Sequence, residues 1–558
     1  MKMRNEVGDG AGSRVCRSFT RAVALAAASI AIALSGVGCG AAPDRDPRPN
    51  VLVIYLDDVG FNDVSAYGGG ALKTPRIDEL AASGQRFIRG HAASATCTPS
   101  RFSLLTGRYP FRNERAEILP GDAPLLIEPG SLTVASHLAS VGYHTAVIGK
   151  WHLGLGEGGV DWNADVKPGP LEIGFDHSYL LPSTNDRVPT VYLDGHRVEN
   201  LDPSDPITVS YREPDGDWPR DEWPTGIERP DLLRYGADRQ HSGTIINGVS
   251  RIGWQHGGTS ALWIDEEMTD RFTERAVDYM AERTETGEPW FLFFNLHNIH
   301  VPRLPHPRFV GQSGLGLRGD AMLEADWSIG ELIDALDRLG IRDDTLVVLS
   351  SDNGPVMDDG YADGALKDNA DHDGSGVYRG GKYTLWEGGT RVPFIVSWPG
   401  TIEAGVSDAL VSQIDFLAVA AALADAPLGK PEETALDTRD MTEAWFGRDP
   451  RGRDVLITQG VGGLGLHVGN MKFIAPDRAR RNFNRHWSVL KHAEPGNPLR
   501  SAPANPNAHL FDLSGDPGEA RNLAPDRPGE VVEMQRLLDA ILEDPAHPEA
   551  ALRQGTNR

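Results

Sequence analysis

Four short apolar runs with β-branched or aromatic character stand out along the chain: Val51 to Leu56, Thr145 to Gly149, Trp290 to Asn295 and Thr345 to Leu349. Each is continuous rather than alternating, the pattern of a strand covered on both faces. Between them, helical spacing predicts helices over Pro75 to Ser83, Ser131 to Ser140, Met268 to Arg283 and Ala321 to Leu339, the last closed by Gly340. Strands alternating with helices predict an α/β fold with a mainly parallel sheet sandwiched by helices.

The pattern weakens from Leu155 to Asp265, where Gly, Pro, Asp and Trp are frequent. This reads as a loop insertion, either shaping a substrate site or serving as a structural flap. Beyond Thr390 to Pro399 the character changes. Asp454 to Gln459, Leu466 to Val468 and Met471 to Ile474 read as antiparallel strands and Val531 to Leu542 as a closing helix, so a smaller α+β domain is expected at the C-terminus. The predicted layout is a main domain over 50–434 with its insertion at about 155–265, the small domain over 435–545 and a tail over 546–558. A Pro-rich polar linker over 41–49 precedes them, after an export signal over 1–40.

In that signal Lys2, Arg4, Arg14, Arg17 and Arg21 precede an apolar run from Ala22 to Leu34, too short to span a bilayer. The expected mature chain therefore has no transmembrane span. The run ends in Ser35-Gly36-Val37-Gly38-Cys39-Gly40, similar to a bacterial lipoprotein processing site with Cys39 lipidated; plain cleavage after Ala42 is the alternative. Both readings export the protein, to the periplasm or the outer surface of a bacterium.

Polar residues cluster where the apolar runs end. Asp57-Asp58 follow the first, Lys150-Trp151-His152 the second, His297-Asn298-Ile299-His300 the third and Asp352-Asn353 the fourth. In a parallel sheet the carboxyl ends of the strands share one edge, where ligands bind, so four remote segments converge. Asp57, Asp58, Asp352 and Asn353 offer only oxygen ligands, a set suited to calcium or magnesium.

Composition narrows the class. The hydrophobic fraction of 40% and charged fraction of 24% are those of a soluble enzyme. A net charge of -25 argues against a nucleic-acid partner, and it means that an anionic substrate needs a local nest of cations. Of three cysteines, Cys16 and Cys39 fall in the signal, which leaves Cys97 alone and no disulfide framework. A lone cysteine is ordinarily a small buried hydrophobe. Cys97, however, starts Cys97-Thr98-Pro99-Ser100-Arg101, with proline where a first helical turn tolerates it. A helix N-terminus there would favour a tetrahedral anion, and equally a low-pKa thiolate nucleophile.

Cys97-x-Pro99-Ser100-Arg101 with Leu105-Thr106-Gly107-Arg108 resembles the signature of the type I, formylglycine-dependent sulfatases of the alkaline phosphatase superfamily. Gly149-Lys150-Trp151-His152-Leu153-Gly154 is similar to a second signature of that family. Arg379-Gly380-Gly381-Lys382 with Trp386-Glu387-Gly388-Gly389-Thr390-Arg391-Val392-Pro393 is similar to a third, and Leu510 to Glu519 with Asn522-Leu523 is also family-like.

The resemblance implies an alkaline phosphatase-like fold and hydrolysis of sulfate esters. It implies that Cys97 is oxidised to formylglycine by a maturation enzyme, and that one calcium ion, ahead of magnesium, is held by Asp57, Asp58, Asp352, Asn353 and an oxygen of modified Cys97. Arg101 would hold the formylglycine hydrate, Lys150 and Lys382 the sulfate, and His152 and His300 would move protons. His300 is chosen over His297 because His300-Val301-Pro302 supplies the family's His-x-Pro step. The substrate implied is a sulfated carbohydrate or aryl sulfate. Asn185-Asp186-Arg187-Val188-Pro189 and Gly248 to Gly253 resemble a carbohydrate-active branch, pointing toward a galactose or N-acetylgalactosamine 6-sulfate, with Asp186, Arg187, His297, Asn298 and Arg303 as candidate substrate contacts. The alternatives are a phosphate or phosphonate ester hydrolase on the same scaffold and a catalytically silent protein that binds sulfated glycan.

Overall fold

The computed structural model describes residues 46–68, 70–369, 372–429, 436–476 and 507–544. The export signal, Cys39, the tail and the predicted boundary at 434/435 lie outside them. At the centre are five parallel strands: β1 (Asn50–Leu56), β3 (His144–Lys150), β4 (His177–Leu181), β7 (Trp290–Asn295) and β8 (Thr345–Ser351). Around them lie β2 (Gln85–Phe87), β5 (Leu193–Asp194), β6 (Arg197–Val198), β9 (Phe394–Ser397) and β10 (Gly405–Ser407), in the order β10-β2-β9-β8-β1-β7-β3-β4-β5-β6. β9 runs antiparallel to β8, and β5 antiparallel to β4.

The continuous apolar runs are explained by two cores, one on each face. Val51, Val53, Tyr55, Phe291 and Phe293 point to one side, where they meet α3 (Val134–Ser140) and α6 (Phe416–Leu423). Leu52, Ile54, Leu56, Leu292 and Phe294 point to the other, against α1 (Pro75–Ala82), α4 (Met268–Thr286) and α5 (Gly316–Leu339). Each such residue moved out of water contributes roughly 1.5–3 kcal/mol. α2 (Cys97–Thr106) is buried at every position and closes at Gly107, whose φ of 63° ends the helix.

The large mixed sheet with covering helices agrees with the expected fold class. The insertion does not wholly agree. β4, β5 and β6 lie inside 155–265 and extend the main sheet. Within β4 the apolar run is just Tyr179-Leu180-Leu181, too short to stand out from Gly- and Pro-rich surroundings. The rest of the insertion is irregular, with two-stranded pairings such as Thr208–Ser210 with Trp254–His256.

At the C-terminus β11 (Val455–Gly460), β12 (Gly463–Val468), β13 (Met471–Ile474) and β14 (His509–Asp512) form an antiparallel sheet. α7 (Pro528–Glu543) sets Met534, Leu538 and Ile541 on its Leu456, Leu466, Phe473 and Leu510. This sheet is joined to the segments that flank the larger one: Gln459 pairs with Ser94, and Lys472 donates to Glu387 at 2.9 Å.

Candidate active site

Parallel pairing brings the ends of β1, β3, β7 and β8 to one edge. Asp57-Asp58 leave β1, Lys150 ends β3, His297 to His300 follow β7 and Asp352-Asn353 follow β8. The exits are stitched together. Ile299 N–H donates to the Asp57 carbonyl at 2.6 Å, and Asp57 N–H donates to the Asn298 carbonyl at 3.0 Å. Gly149, at φ 109°, permits the closest of these approaches, since a Cβ there would stand 1.9 Å from the Asn295 carbonyl oxygen.

Cys97, the first residue of α2, points its thiol at Asp57 Oδ1, 3.8 Å away. Donor atoms of Asp57, Asp58, Asp352 and Cys97 all lie within 4.8 Å of one another and are buried. Three side chains bring positive charge. Lys150 donates to Asp57 Oδ2. Lys382 donates to Asp58 Oδ2 and Asp359 Oδ2, each at 2.9 Å. Arg101, fully buried, grips Asp352 Oδ2 at 2.8 and 3.0 Å and also donates to the Lys150 carbonyl and Asn295 Oδ1.

These charges leave the carboxylates unequal. Despite its burial, Asp352 is held below the ordinary range by Arg101 and Lys150. Burial, together with the charge of Asp352, pushes Asp57 and Asp58 up in spite of the lysines. Asn353 Oδ1 is buried without a hydrogen-bond partner, while its Nδ2 donates to Asp58 Oδ1 at 2.8 Å. Two carboxylates held above their usual pKa and an orphaned amide oxygen fit a hard divalent cation. Burial also pushes the Cys97 thiol up, outweighing Lys150 and Lys382, which argues against a low-pKa thiolate in the encoded side chain.

Seven described non-glycine residues have positive φ, and three of them stand here: Asp58 at 59°, His152 at 53° and Tyr383 at 75°. Strain concentrated at one place marks a site whose surroundings over-determine it. His152 donates from Nε2 to the Leu119 carbonyl at 3.1 Å and leaves Nδ1 buried without a partner. His300 bonds the Val301 carbonyl through Nδ1 at 2.6 Å, with Nε2 4.0 Å from Asp58 Oδ2. Burial holds both imidazoles well below their ordinary pKa, reinforced by Arg187 and Lys150 at His152 and by the two lysines at His300.

A cleft opens above Cys97, His152, His300 and Lys382. The insertion supplies its outer wall. Arg187 donates to Asp186 Oδ1 at 2.9 Å, and His241 bridges Asp186 Oδ2 at 3.4 Å and Asp238 Oδ1 at 2.7 Å. Against the cost of burial, the two carboxylates push His241 up to about 9, so it is an imidazolium at neutral pH. Arg187 and His241 in turn hold Asp186 well below the usual range, again despite burial.

Residues 49–426 match the sulfatase family. This chain belongs to that family. The sulfatase is 43% identical over 511 residues to an N-acetylgalactosamine-6-O-sulfatase of Bacteroides thetaiotaomicron, covering 90% of this chain and 96% of that one. It is 31% identical to human arylsulfatase A over 522 residues, covering 91% and 90%. A solved Bacteroides thetaiotaomicron structure, described with the metabolism of multiple glycosaminoglycans, superposes with a TM-score of 0.82 at 43% identity over 89% of this chain and 99% of the other. The protein is an enzyme that hydrolyses sulfate esters.

Within the sulfatase, Asp57, Asp58, Cys97, Arg101, Lys150, His152, His300, Asp352, Asn353 and Lys382 meet at one place, and Asp186 and Arg187 line the same cleft. Three sequence candidates for substrate contact do not reach it. His297 is buried beside Phe272, ring centroids 6.2 Å apart. Asn298 is spent on Thr269, Ala321 and Glu324. Arg303, 1% exposed, is tied to Asp363 at 2.7 Å and to the carbonyls of Ile299, Val356 and Met357. A His or Arg at a strand exit is as useful for holding that exit as for meeting a ligand. Sequence reasoning missed Asp238, His241, Asp359 and Tyr383. Only Tyr383 carried a signal, its place next to Lys382 in a family-like motif.

Proposed function

We propose that this sulfatase removes 6-O-sulfate from galactose or N-acetylgalactosamine units of a sulfated glycan, with Cys97 converted to formylglycine and one calcium ion bound. The observation that carries the reading is the buried meeting of Cys97 with three carboxylates and two lysines beneath a cleft walled by Asp186, Arg187 and His241. The substrate class draws support from the 43% identity to an N-acetylgalactosamine-6-O-sulfatase. Asp57, Asp58, Asp352, Asn353 and an oxygen on the modified Cys97 would hold the cation.

Calcium, when bound, supplies Lewis acidity that acidifies the nucleophile and offsets the charge of the sulfuryl group. Oxidation of the Cys97 side chain by a maturation enzyme supplies an aldehyde hydrate, with one hydroxyl to attack sulfur and a second whose deprotonation expels sulfate. The remaining steps belong to encoded side chains. Lys150 and Lys382 hold the sulfate oxygens and make a cationic pocket in a protein of net charge -25. Arg101 fixes Asp352, which assists deprotonation of the attacking hydroxyl. His300 gives a proton to the departing sugar oxygen; its low pKa rises when an anion enters the cleft, and the Val301 carbonyl orients the ring. His152, with Nδ1 unspent, removes the proton of the second hydroxyl.

The N-terminal signal supports export to the periplasm or, through Cys39, to a lipid-anchored surface position. No helix among the described residues is long and apolar enough to cross a membrane. Mass analysis of the Cys97 peptide, paired with a screen of defined sulfated saccharides and an aryl phosphate, tests the reading. An aldehyde in place of the thiol and fastest release from a 6-sulfate are expected. An intact thiol in native active protein, or phosphate preferred by orders of magnitude, would overturn it.

A further inference from the structure

Lys382 is held in an unexpected way for a residue that must greet an anion. Its ammonium has three donors, and Asp359, a second carboxylate on the cleft wall, takes one of them at 2.9 Å. A negative charge beside a sulfate pocket weakens anion binding unless it does something else. Asp359 is itself fixed, because the Tyr383 hydroxyl reaches both of its oxygens at 3.0 Å.

Tyr383 is pinned in turn. Its backbone sits at φ 75°, a costly conformation for an aromatic residue. Tyr383 N–H donates to the Ala95 carbonyl at 2.7 Å, two residues before Cys97, and its own carbonyl accepts from Val461 N–H at 2.9 Å. Ala95 N–H donates to the Gln459 carbonyl, also at 2.7 Å. The approach to Cys97, the turn carrying Lys382 and the end of β11 are thus one hydrogen-bonded unit. The Asp359 loop is joined to the insertion as well. Asp238 N–H donates to the Gly360 carbonyl and Ala362 N–H to the Gly236 carbonyl, both at 2.8 Å. Gly360 lies so close to His241 that a Cβ would come within 2.3 Å of the ring.

We infer that Asp359 and Tyr383 are positioning residues for Lys382, directing its ammonium at the sulfate and tying that direction to the wall formed by Asp238 and His241. The inference rests on the reading of Lys382 as a sulfate-holding residue. Lysine ends in a mobile point charge on a flexible stem, so aiming it requires a partner that is itself immobile. Asp359 satisfies that requirement through Tyr383, which in turn is held by the Cys97 approach and the C-terminal sheet.

The sign of one effect separates positioning from mere proximity. In the calcium-loaded, formylglycine-bearing enzyme, Asp359→Asn removes a negative charge beside the pocket. If Asp359 is a bystander, inorganic sulfate should then bind more tightly. If it aims Lys382, sulfate should bind roughly tenfold more weakly, and kcat/KM on a small aryl sulfate should fall by a similar factor. Tyr383→Phe, which changes no charge, should move both quantities the same way by about fivefold, with the melting temperature as the control for folding. Sulfate binding is read by calorimetry, so it stays measurable in slow variants. Lys382→Ala closes the cycle: in that background Asp359→Asn should produce no further weakening of sulfate. Tighter sulfate binding in Asp359→Asn, or a full additional loss on top of Lys382→Ala, overturns the inference. Unchanged sulfate binding in Lys382→Ala alone would instead sink the assigned role of Lys382.

Discussion

The floor and the wall of the cleft are built in opposite ways. On the floor, Asp57, Asp58, Lys150 and Asp352 stand at the ends of hydrogen-bonded parallel strands, and Cys97 and Arg101 on a fully buried helix. On the wall, Asp186, Arg187, Asp238 and His241 come from irregular chain between short two-stranded pairings. Floor residues spend their charges on one another. Wall residues form a smaller chain of their own, Arg187 to Asp186 to His241 to Asp238. The proposed function gives bond breaking to the floor and choice of sugar to the wall, and each assignment can be broken separately.

The harshest test is Cys97→Ser. A serine has one hydroxyl and cannot release a sulfuryl group that it accepts, so steady turnover should fall by at least about 10⁴-fold on glycan and aryl sulfates alike. Progress curves on both substrates measure it, and a loss confined to glycan would move Cys97 from the floor to the wall. Calcium removal comes next. Chelation should abolish turnover on both substrates and lower stability by about 3 kcal/mol relative to a saturated enzyme. The calcium-free protein should also show its own pH dependence. Asp57 and Asp58 are raised by burial and by the charge of Asp352, so their contribution favours the folded state at low pH and is lost as pH rises through their raised folded values. Chemical unfolding between pH 5 and 9, with and without calcium, reads this directly, since the calcium-loaded protein should lack that slope.

On the wall, Arg187→Ala should lower kcat/KM on a 6-sulfated glycan roughly 10- to 100-fold while a small aryl sulfate changes by less than about threefold, because the proposed charged hydrogen bond to sugar would be lost while the residues that break the bond keep their own contacts. Equal losses on the two substrates would return Arg187 to the floor.

The same contrast governs what could be read from sequence. The floor was legible because a buried parallel strand demands an unbroken apolar run, so a polar residue at its end is conspicuous: Asp57 after Leu56, Asp352 after Ser351. The reading faltered where the run was short, as at Tyr179-Leu180-Leu181, and where a polar residue at a strand exit proved to be a fastener, as with Asn298 and Arg303. The wall was barely legible. Its residues are set by pairings such as Ala237 with Tyr361 and Arg187 with Ile252, which join segments far apart in the chain and leave no period behind. His241 has no neighbour in sequence to announce it, and its charge exists only because Asp186 and Asp238 are brought to either side.

That charge provides the finest probe of the wall. Burial opposes ionisation of His241, but the two carboxylates push its pKa up to about 9. A raised histidine keeps its proton through neutral pH and loses it as pH climbs through 9, and with it a hydrogen-bond donor and the partner that steadies Asp186. The ratio of kcat/KM for glycan 6-sulfate to that for aryl sulfate should therefore hold steady from pH 7 to 8 and decline a few-fold toward pH 10. Taking the ratio cancels titrations on the floor, which both substrates share. His241→Asn cannot be charged, so its ratio should start low and stay flat over the same range. A decline of equal size in that variant would place the titrating group elsewhere, and the wall's discrimination would then rest on Arg187 without its imidazolium neighbour.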